Sequence, residues 1–152
     1  MIGITIKLKN EYNNFLFKIL DKIGAEDFVW HIYDNEIIYK NNVNHLNTSI
    51  FQEDILDGTN FLNCIKIEKY YLVYADIKAY RKKKEITFIE TYKDFLESSC
   101  EIALFCSDTT NIEVYCKDED ILRKIIENCK YAGLDDFYVI TKGNNYRTNF
   151  SI

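Results

Sequence analysis

Two parts of the chain show the same order of elements: a strand, an amphipathic helix, a glycine, and a strand that starts with acidic and aromatic residues. The first helix-to-strand junction has the sequence G-A-E-D-F-V from Gly24, and the second has G-L-D-D-F-Y from Gly133. A helix that connects two strands of one sheet usually joins parallel strands. The pattern therefore predicts two β-α-β units, one near each end of the chain. The same residue types are typical of any turn from a helix to a strand, so the repeat does not by itself indicate a duplication.

The spacing of apolar residues locates the other helices and strands. Asn10 is predicted to cap a helix over residues 11–23, and Thr59 a shorter helix over 60–67. Thr91 and Asp94 have the spacing of a capping box, and acidic residues at 118–120 favour the start of the last helix. Strands are predicted over residues 1–8, 27–33, 36–39, 70–79, 85–89, 100–106, 112–116 and 137–141. The Asn-rich residues 41–49 are predicted to form a loop, and the tail over 146–152 is a candidate edge strand.

These elements predict an α+β fold, with a mixed, largely antiparallel sheet of about six to eight strands and two main helices on one face. The chain contains no proline and only 5 scattered glycines, so no segment is typical of a linker. Hydrophobic residues make up 47% of the 152 residues, which is enough apolar surface to form a core. Residues 1–152 are therefore predicted to form a single domain.

The charge and the cysteines predict a compartment. A net charge of −5 argues against nonspecific binding to nucleic acid or to an anionic membrane. No apolar run has the length of a membrane span, and the start M-I-G-I-T-I-K-L-K lacks the pattern of a signal peptide. The 5 cysteines are odd in number and none is spaced C-x-x-C, which favours reduced thiols. An acidic cytoplasmic protein that does not bind a membrane is expected.

The most basic segment contains four consecutive cations, which are Arg81, Lys82, Lys83 and Lys84. A nucleic-acid site usually spreads basic residues over one face, with aromatic side chains between them for stacking. Four consecutive residues in a turn point in different directions instead. The segment is therefore interpreted as the solvated turn of a hairpin between strands 70–79 and 85–89. Contact with an acidic protein or with phosphate is the alternative.

No pattern of reactive residues indicates an active site. Cys100 and Cys106 are predicted to lie on one face of a strand with Ile102 and Leu104, where apolar surroundings make a thiol inert. No ligands stand at the short spacing of a zinc site, and the paired carboxylates occur at helix starts or turns, where capping explains them. The sequence therefore predicts no catalytic, cofactor-binding or metal-binding residue, and no cofactor.

Asp76 is the acidic residue that most needs an explanation, because it interrupts a strand that is otherwise apolar up to that point. Such a residue lies either at a wet end of the sheet or beside a cation such as Lys78. The wet end is the favoured interpretation. A site assembled from dispersed residues would combine Asp76 and Lys78 with His31, provided that all three lie on the same face of the sheet.

Three segments also carry a resemblance. They are I-E-T-Y-K-D-F-L-E-S-S-C-E-I-A-L-F-C-S-D from Ile89, V-Y-C-K-D-E-D-I-L-R-K-I-I-E-N-C-K-Y-A-G-L-D-D-F-Y-V-I-T from Val114, and Y-R-T-N-F-S-I at the end. Together with D-I-K-A-Y from Asp76, they resemble a family of small, roughly 150-residue, uncharacterised proteins of unknown function from low-GC Gram-positive bacteria. The resemblance implies a bacterial cytosolic protein and carries over no catalytic or binding residue.

The leading hypothesis is a non-enzymatic cytosolic module that binds another protein, of a regulatory or immunity type. The acidic charge, the 12 tyrosines and 10 phenylalanines, and the lack of a catalytic pattern favour it. The alternative is an enzyme or small-ligand binder with a site at Asp76, Lys78 and His31. A second alternative is weak binding of nucleic acid or phosphate through the basic segment at 81–84.

Overall fold

The computed structural model, which describes residues 1–40 and 45–152, contains an eight-stranded sheet in the order β3-β2-β5-β6-β7-β1-β8, with β4 also paired to β2. The strands are β1 (Gly3–Lys7), β2 (Val29–Lys40), β3 (Leu46–Asn47), β4 (Ile55–Asp57), β5 (Tyr71–Tyr80), β6 (Cys100–Ser107), β7 (Asn111–Cys116) and β8 (Phe137–Ile140). The helices are α1 (Phe15–Leu20), α2 (Gly58–Ile65), α3 (Tyr92–Glu97) and α4 (Glu119–Tyr131). The α+β prediction is confirmed.

All pairings among the described strands are antiparallel, so the predicted largely antiparallel sheet is confirmed and none of these strands forms a parallel pair. The two β-α-β units nevertheless exist in a split form. β7 and β8 run in the same direction with β1 between them, and β1 and β2 run in the same direction with three strands between them. The sequence repeat predicted that the strands on either side of each helix run in the same direction. It did not predict that other strands would lie between them in the sheet.

The helix ends depend on local capping. Asp118 accepts hydrogen bonds from the Asp120 and Ile121 amides at the start of α4, and Thr91 and Asp94 form the predicted capping box of α3. Asp57, rather than the predicted Thr59, caps α2 by accepting a hydrogen bond from the Asn60 amide at 2.8 Å. Helix α1 is shorter than predicted, because the chain at residue 13 forms a bridge to Tyr70 before the helix begins.

β2 is one 12-residue strand and not two strands separated by a turn. Its pairing with β5 shifts register between Ile32 and Asp34, so the predicted turn at Asp34–Asn35 is a β-bulge. Residues 41–44 of the predicted loop lie outside the described residues, and Leu46–Asn47 pairs with β2 as the short strand β3.

The sheet is covered on both faces. Helices α1, α2 and α4 cover one face, called here the helical face, where Ile102, Leu104 and Cys106 of β6 are buried. α3 and the C-terminal residues cover the other, called the second face, where Ala103 and Phe105 of β6 are buried. The two main helices contact each other, since the Asn128 amide of α4 donates to the Ile19 carbonyl at 3.0 Å. Their predicted place on one face is confirmed.

The segments after β5 and β8 differ from prediction. Residues 85–89 form no strand, and they cross the second face on the way to α3. The basic segment is therefore not the turn of a hairpin within the sheet. The tail does not add an edge strand either: Asn149 forms a bridge to Thr91, over the second face. None of the helices in the described part of the chain combines the length and the apolar character needed to cross a membrane.

Candidate functional site

Part of the second face lies open at the end formed by β2 and β5. We call this surface the open face and define it by the side chains of Tyr33, Asp34, Glu36, Tyr74, Phe88 and Ile152. The three large apolar side chains among them are well exposed: 42% for Tyr33, 61% for Phe88 and 45% for Ile152. They come from three segments that are distant in the sequence, and the fold brings them to one surface.

Contacts show that the open face is continuous. The rings of Tyr33 and Phe88 have centroids 5.8 Å apart. Ile152 reaches this surface next to Asp76, since its amide donates a hydrogen bond to the Asp76 carboxylate at 3.1 Å. Across the β2–β5 pairing, Asp34 lies opposite Asp76 and Glu36 lies opposite Tyr74, so their side chains share the second face.

A buried ion pair lies directly beneath this surface. Asp76 and Lys78 are 0% and 2% exposed, and one carboxylate oxygen of Asp76 pairs with the Lys78 ammonium group. The other oxygen accepts a hydrogen bond from the Ile152 amide at 3.1 Å. Lys78 Nζ lies 5.1 Å from the ring centroid of Tyr33 and 5.2 Å from that of Phe105. The prediction that Asp76 lies at a wet end is therefore wrong, and the pairing with Lys78 is found instead.

His31 joins the pair from the neighbouring strand. It lies opposite Lys78 in the β2–β5 pairing, and its ring centroid is 5.8 Å from that of Tyr33. Its Nδ1 atom is buried and has no hydrogen-bond partner among the described residues. Burial and the positive charge of Lys78 lower the pKa of His31. The three residues proposed from the sequence, Asp76, Lys78 and His31, thus lie together on one face.

The negative charge of the open face is not compensated. Within residues 1–40 and 45–152, neither Asp34 nor Glu36 makes an ion pair. Tyr74 donates a hydrogen bond to Asp34 at 3.2 Å. Burial, this hydrogen bond and the charges of Asp34 and Glu36 raise the pKa of Tyr74. The open face therefore combines exposed aromatic rings with two carboxylates that have no cationic partner among the described residues.

The other residues considered from the sequence lie elsewhere. Burial raises the pKa of Cys100, Cys106 and Cys116 to about 12 and that of Cys129 to about 11, as expected for inert thiols. Cys100 does not share a face with Cys106, because the strand shifts register opposite Tyr80 and turns Cys100 to the second face. Among the described residues, no group of three or more histidines, cysteines and acids is placed to hold a metal ion.

The basic segment does not contribute to the open face. The Arg81 guanidinium group stacks over the Phe28 ring at 4.2 Å, and Lys82, Lys83 and Lys84 are exposed at the start of a 3₁₀ turn over Lys83–Glu85. Tyr33, Phe88 and Ile152 were not predicted as site residues. The excess of aromatic residues was the only signal in the sequence that pointed to such a surface.

The fold and the open face define a small α+β protein with an antiparallel sheet and an aromatic, acidic surface. The chain belongs to the family described as "Protein of unknown function (DUF2691)", whose model matches residues 1–151. It is 26% identical over 152 residues to the "Uncharacterized protein YncE" of Bacillus subtilis (strain 168), and the alignment covers 99% of this chain and 98% of that protein. No solved structure matches the chain significantly. The predicted resemblance to a small uncharacterised family of Gram-positive bacteria is confirmed.

Proposed function

We propose that the protein is a non-enzymatic, cytoplasmic protein-binding module, of a regulatory or immunity type, that binds a basic protein through the open face. The observation that carries the proposal is the convergence of Tyr33, Phe88 and Ile152, all exposed, beside the carboxylates of Asp34 and Glu36, which make no ion pair with any described residue. Exposed aromatic side chains at the centre of a surface are typical of the residues that dominate protein binding.

Charge complementarity supports a basic partner. The ion pair with Lys78 compensates the charge of Asp76, whereas Asp34 and Glu36 leave about two negative charges at the surface. The net charge of −5 has the same sign, so the approach of a basic protein is favoured over long distances at low salt. The free cysteines suit a reducing compartment such as the cytoplasm.

The proposal is tested by recovering partners from the native lysate with the tagged protein at moderate salt. We expect the double variant Tyr33→Ser/Phe88→Ser to recover about tenfold less partner than the wild-type protein, because two central aromatic side chains are removed. The matched control is Tyr131→Ser/Tyr146→Ser, which removes two tyrosines that are 96% and 90% exposed elsewhere on the surface.

A second pair of variants tests the charge. Asp34→Asn/Glu36→Gln is expected to weaken binding and to reduce its dependence on salt, whereas Glu53→Gln/Glu68→Gln makes the same charge change away from the open face. Equal recovery by the open-face variants and by their controls would contradict the proposal. So would a protein that recovers no basic partner at any salt concentration.

One observation favours a second candidate, a small-ligand site. His31, Lys78 and Asp76 converge, and the buried Nδ1 atom of His31 has no partner among the described residues. Lys78 is only 2% exposed and lies under Tyr33, so a ligand would have to displace that ring to reach it. Ligand-dependent changes in the NMR signals of His31, in a screen of small anions, would support this candidate over protein binding.

A further inference from the structure

The C-terminal residues 147–152, called here the strap, cross the second face and are held there by one aromatic anchor. Phe150 is 0% exposed. Its ring centroid lies within 5.4 Å of four aromatic rings, which belong to Tyr92, Phe95, Phe105 and Tyr115. The anchor comes from the strap and the surrounding rings come from the sheet and α3, so one side chain of the strap fills an aromatic site built by other elements.

Polar contacts on both sides of Phe150 fix the direction of the strap. The Phe150 amide donates to the Glu90 carbonyl at 2.7 Å, and the Tyr92 amide donates to the Thr148 carbonyl at 3.1 Å. The Arg147 guanidinium group pairs with Glu113 and stacks over Phe105 at 4.5 Å. These contacts lead the chain to Ile152, whose amide reaches the buried carboxylate of Asp76 at 3.1 Å.

This last contact connects the strap to the open face. The two carboxylate oxygens of Asp76 are used by two different partners, Lys78 and the Ile152 amide. If the strap leaves, a fully buried charged oxygen loses its donor, which is costly unless water enters. Water at Asp76 would also hydrate Lys78, whose ammonium group lies under the Tyr33 ring. Departure of the strap would therefore hydrate the cation beneath Tyr33 and remove Ile152 from the open face.

We propose that the strap is a conformational device that must be seated on the second face for the open face to bind its partner. This inference rests on the proposed function of the open face. A partner that contacts Tyr33, Phe88 and Ile152 binds the seated state, so it shifts the strap toward that state. Apparent affinity then falls in proportion to the fraction of molecules in which the strap is seated.

Ile152→Pro is the decisive variant, because proline has no backbone N–H and removes the donor to Asp76. Ile152→Val is the control, since it keeps the N–H and most of the side chain. In the proline variant, we expect the Lys78 ammonium protons to exchange with water about tenfold faster, because one hydrogen bond to a charged group is lost. NMR measures this exchange rate. The Tyr33 ring signals should shift at the same time, and Ile152→Val should match the wild-type protein.

Recovery of the basic partner from the lysate is measured on the same variants. We expect it to fall for Ile152→Pro in proportion to the fraction of molecules in which the strap is still seated. Phe150→Ala should also weaken binding, although Phe150 is buried and cannot touch a partner. Alkylation of Cys129, which is buried on the helical face, reports whether a variant has unfolded as a whole.

Unchanged Lys78 and Tyr33 signals in Ile152→Pro would overturn the inference. Alkylation of Cys129 in that variant would also overturn it, because the strap would then be inseparable from the core. Tyr33 ring signals that show a mostly unseated strap, together with undiminished recovery of the partner, would show that the strap moves without controlling binding, and the proposed coupling would fail. If Tyr33→Ser/Phe88→Ser binds normally, the proposed function fails, while the exchange measurement still decides whether the strap supports Tyr33.

Discussion

Asp76 and Lys78 form an ion pair from which water is almost wholly excluded. Removing two charges from water is costly, and their attraction offsets this cost only when the remaining donors and acceptors are also satisfied. Here the Ile152 amide satisfies the second oxygen of Asp76, and aromatic rings lie beside the Lys78 ammonium group. The pair is thus satisfied only in the complete fold.

Removing one member of this pair should destabilise the protein strongly. We expect Lys78→Met to lower the free energy of unfolding by about 3–5 kcal/mol, because it leaves the Asp76 charge buried without its partner. The double variant Asp76→Leu/Lys78→Met should be less destabilised than the sum of the single variants. Urea denaturation measures both values.

The control for this experiment is Lys93→Met, which removes one member of an exposed ion pair with Glu97. An exposed pair contributes about 1 kcal/mol or less. A cost for Lys78→Met no larger than that of the control would show that the pair is hydrated in solution.

The pKa of His31 gives a prediction for pH dependence. Because this pKa is lowered in the folded protein, the unfolded chain takes up the proton first, near its ordinary pKa of about 6.5. The contribution to stability is therefore complete above about pH 6.5 and is lost as the pH falls toward the folded pKa. We expect the free energy of unfolding of His31→Gln to decrease less between about pH 7 and pH 5 than that of the wild-type protein. Identical slopes in urea titrations would contradict this assignment.

At the scale of elements, α2 starts in direct contact with the 3₁₀ turn at Ala25–Asp27. A Cβ atom at Gly58, the first residue of α2, would lie 2.3 Å from the Ala25 carbonyl oxygen and 2.4 Å from Glu26 Cα. Both neighbours are backbone atoms, so they cannot move aside as a flexible side chain would. The absence of a side chain at Gly58 sets the distance between α2 and this turn.

Gly58→Ala should therefore be destabilising, although alanine is usually favoured over glycine in a helix. We expect a loss of about 1–3 kcal/mol, the range found when extra atoms are forced into a packed site. Gly143→Ala is the control, because its Cβ atom would lie 3.8 Å from the nearest atom, the Thr141 hydroxyl oxygen. Thermal unfolding of both variants measures the difference, and a Gly58→Ala protein as stable as the control would show that the turn can move away.

The elements that the sequence predicted well are those fixed by local patterns. Strand β5, the hairpin of β6 and β7, the capping box at Thr91 and the start of α4 at Asp118 are close to their predicted places. Residues 85–89 have the alternation of a strand but form none, because β2 and β6 already occupy both edges of β5. Which edges are free depends on pairings between distant segments, and local spacing carries no information about them.

For the whole molecule, burial of the cysteines on both faces of the sheet gives a test of the fold. Cys64 is half-buried, whereas Cys100, Cys106, Cys116 and Cys129 are buried. We expect iodoacetamide to modify Cys64 first in the native protein, and all 5 cysteines only after unfolding in urea. Mass spectrometry of peptides locates the modified residues. Rapid modification of Cys106 and Cys129 in the native protein would contradict the packing of the helical face.

The candidate site could be predicted only in part, because it depends on the order of the strands in the whole sheet. Asp76 was identified because an acid in an apolar strand is unusual, and His31 and Lys78 were proposed as its partners. Tyr33, Phe88 and Ile152 come together only because β2 pairs with β5 on the side away from β6, and because the tail crosses the second face. That arrangement follows from the order of the strands, which one sequence does not reveal.

The position of β1 has a consequence for protein synthesis. Gly3 lies opposite Tyr115 on one side and Ile140 on the other, so β1, which is synthesised before the other described strands, pairs with β7 and β8, which are synthesised last among them. The nascent chain must keep an apolar, unpaired strand until more than a hundred residues have followed it, which exposes it to aggregation. Closure of the sheet is therefore expected only after β7 and β8 have been synthesised, and a chaperone that holds β1 until then would limit aggregation.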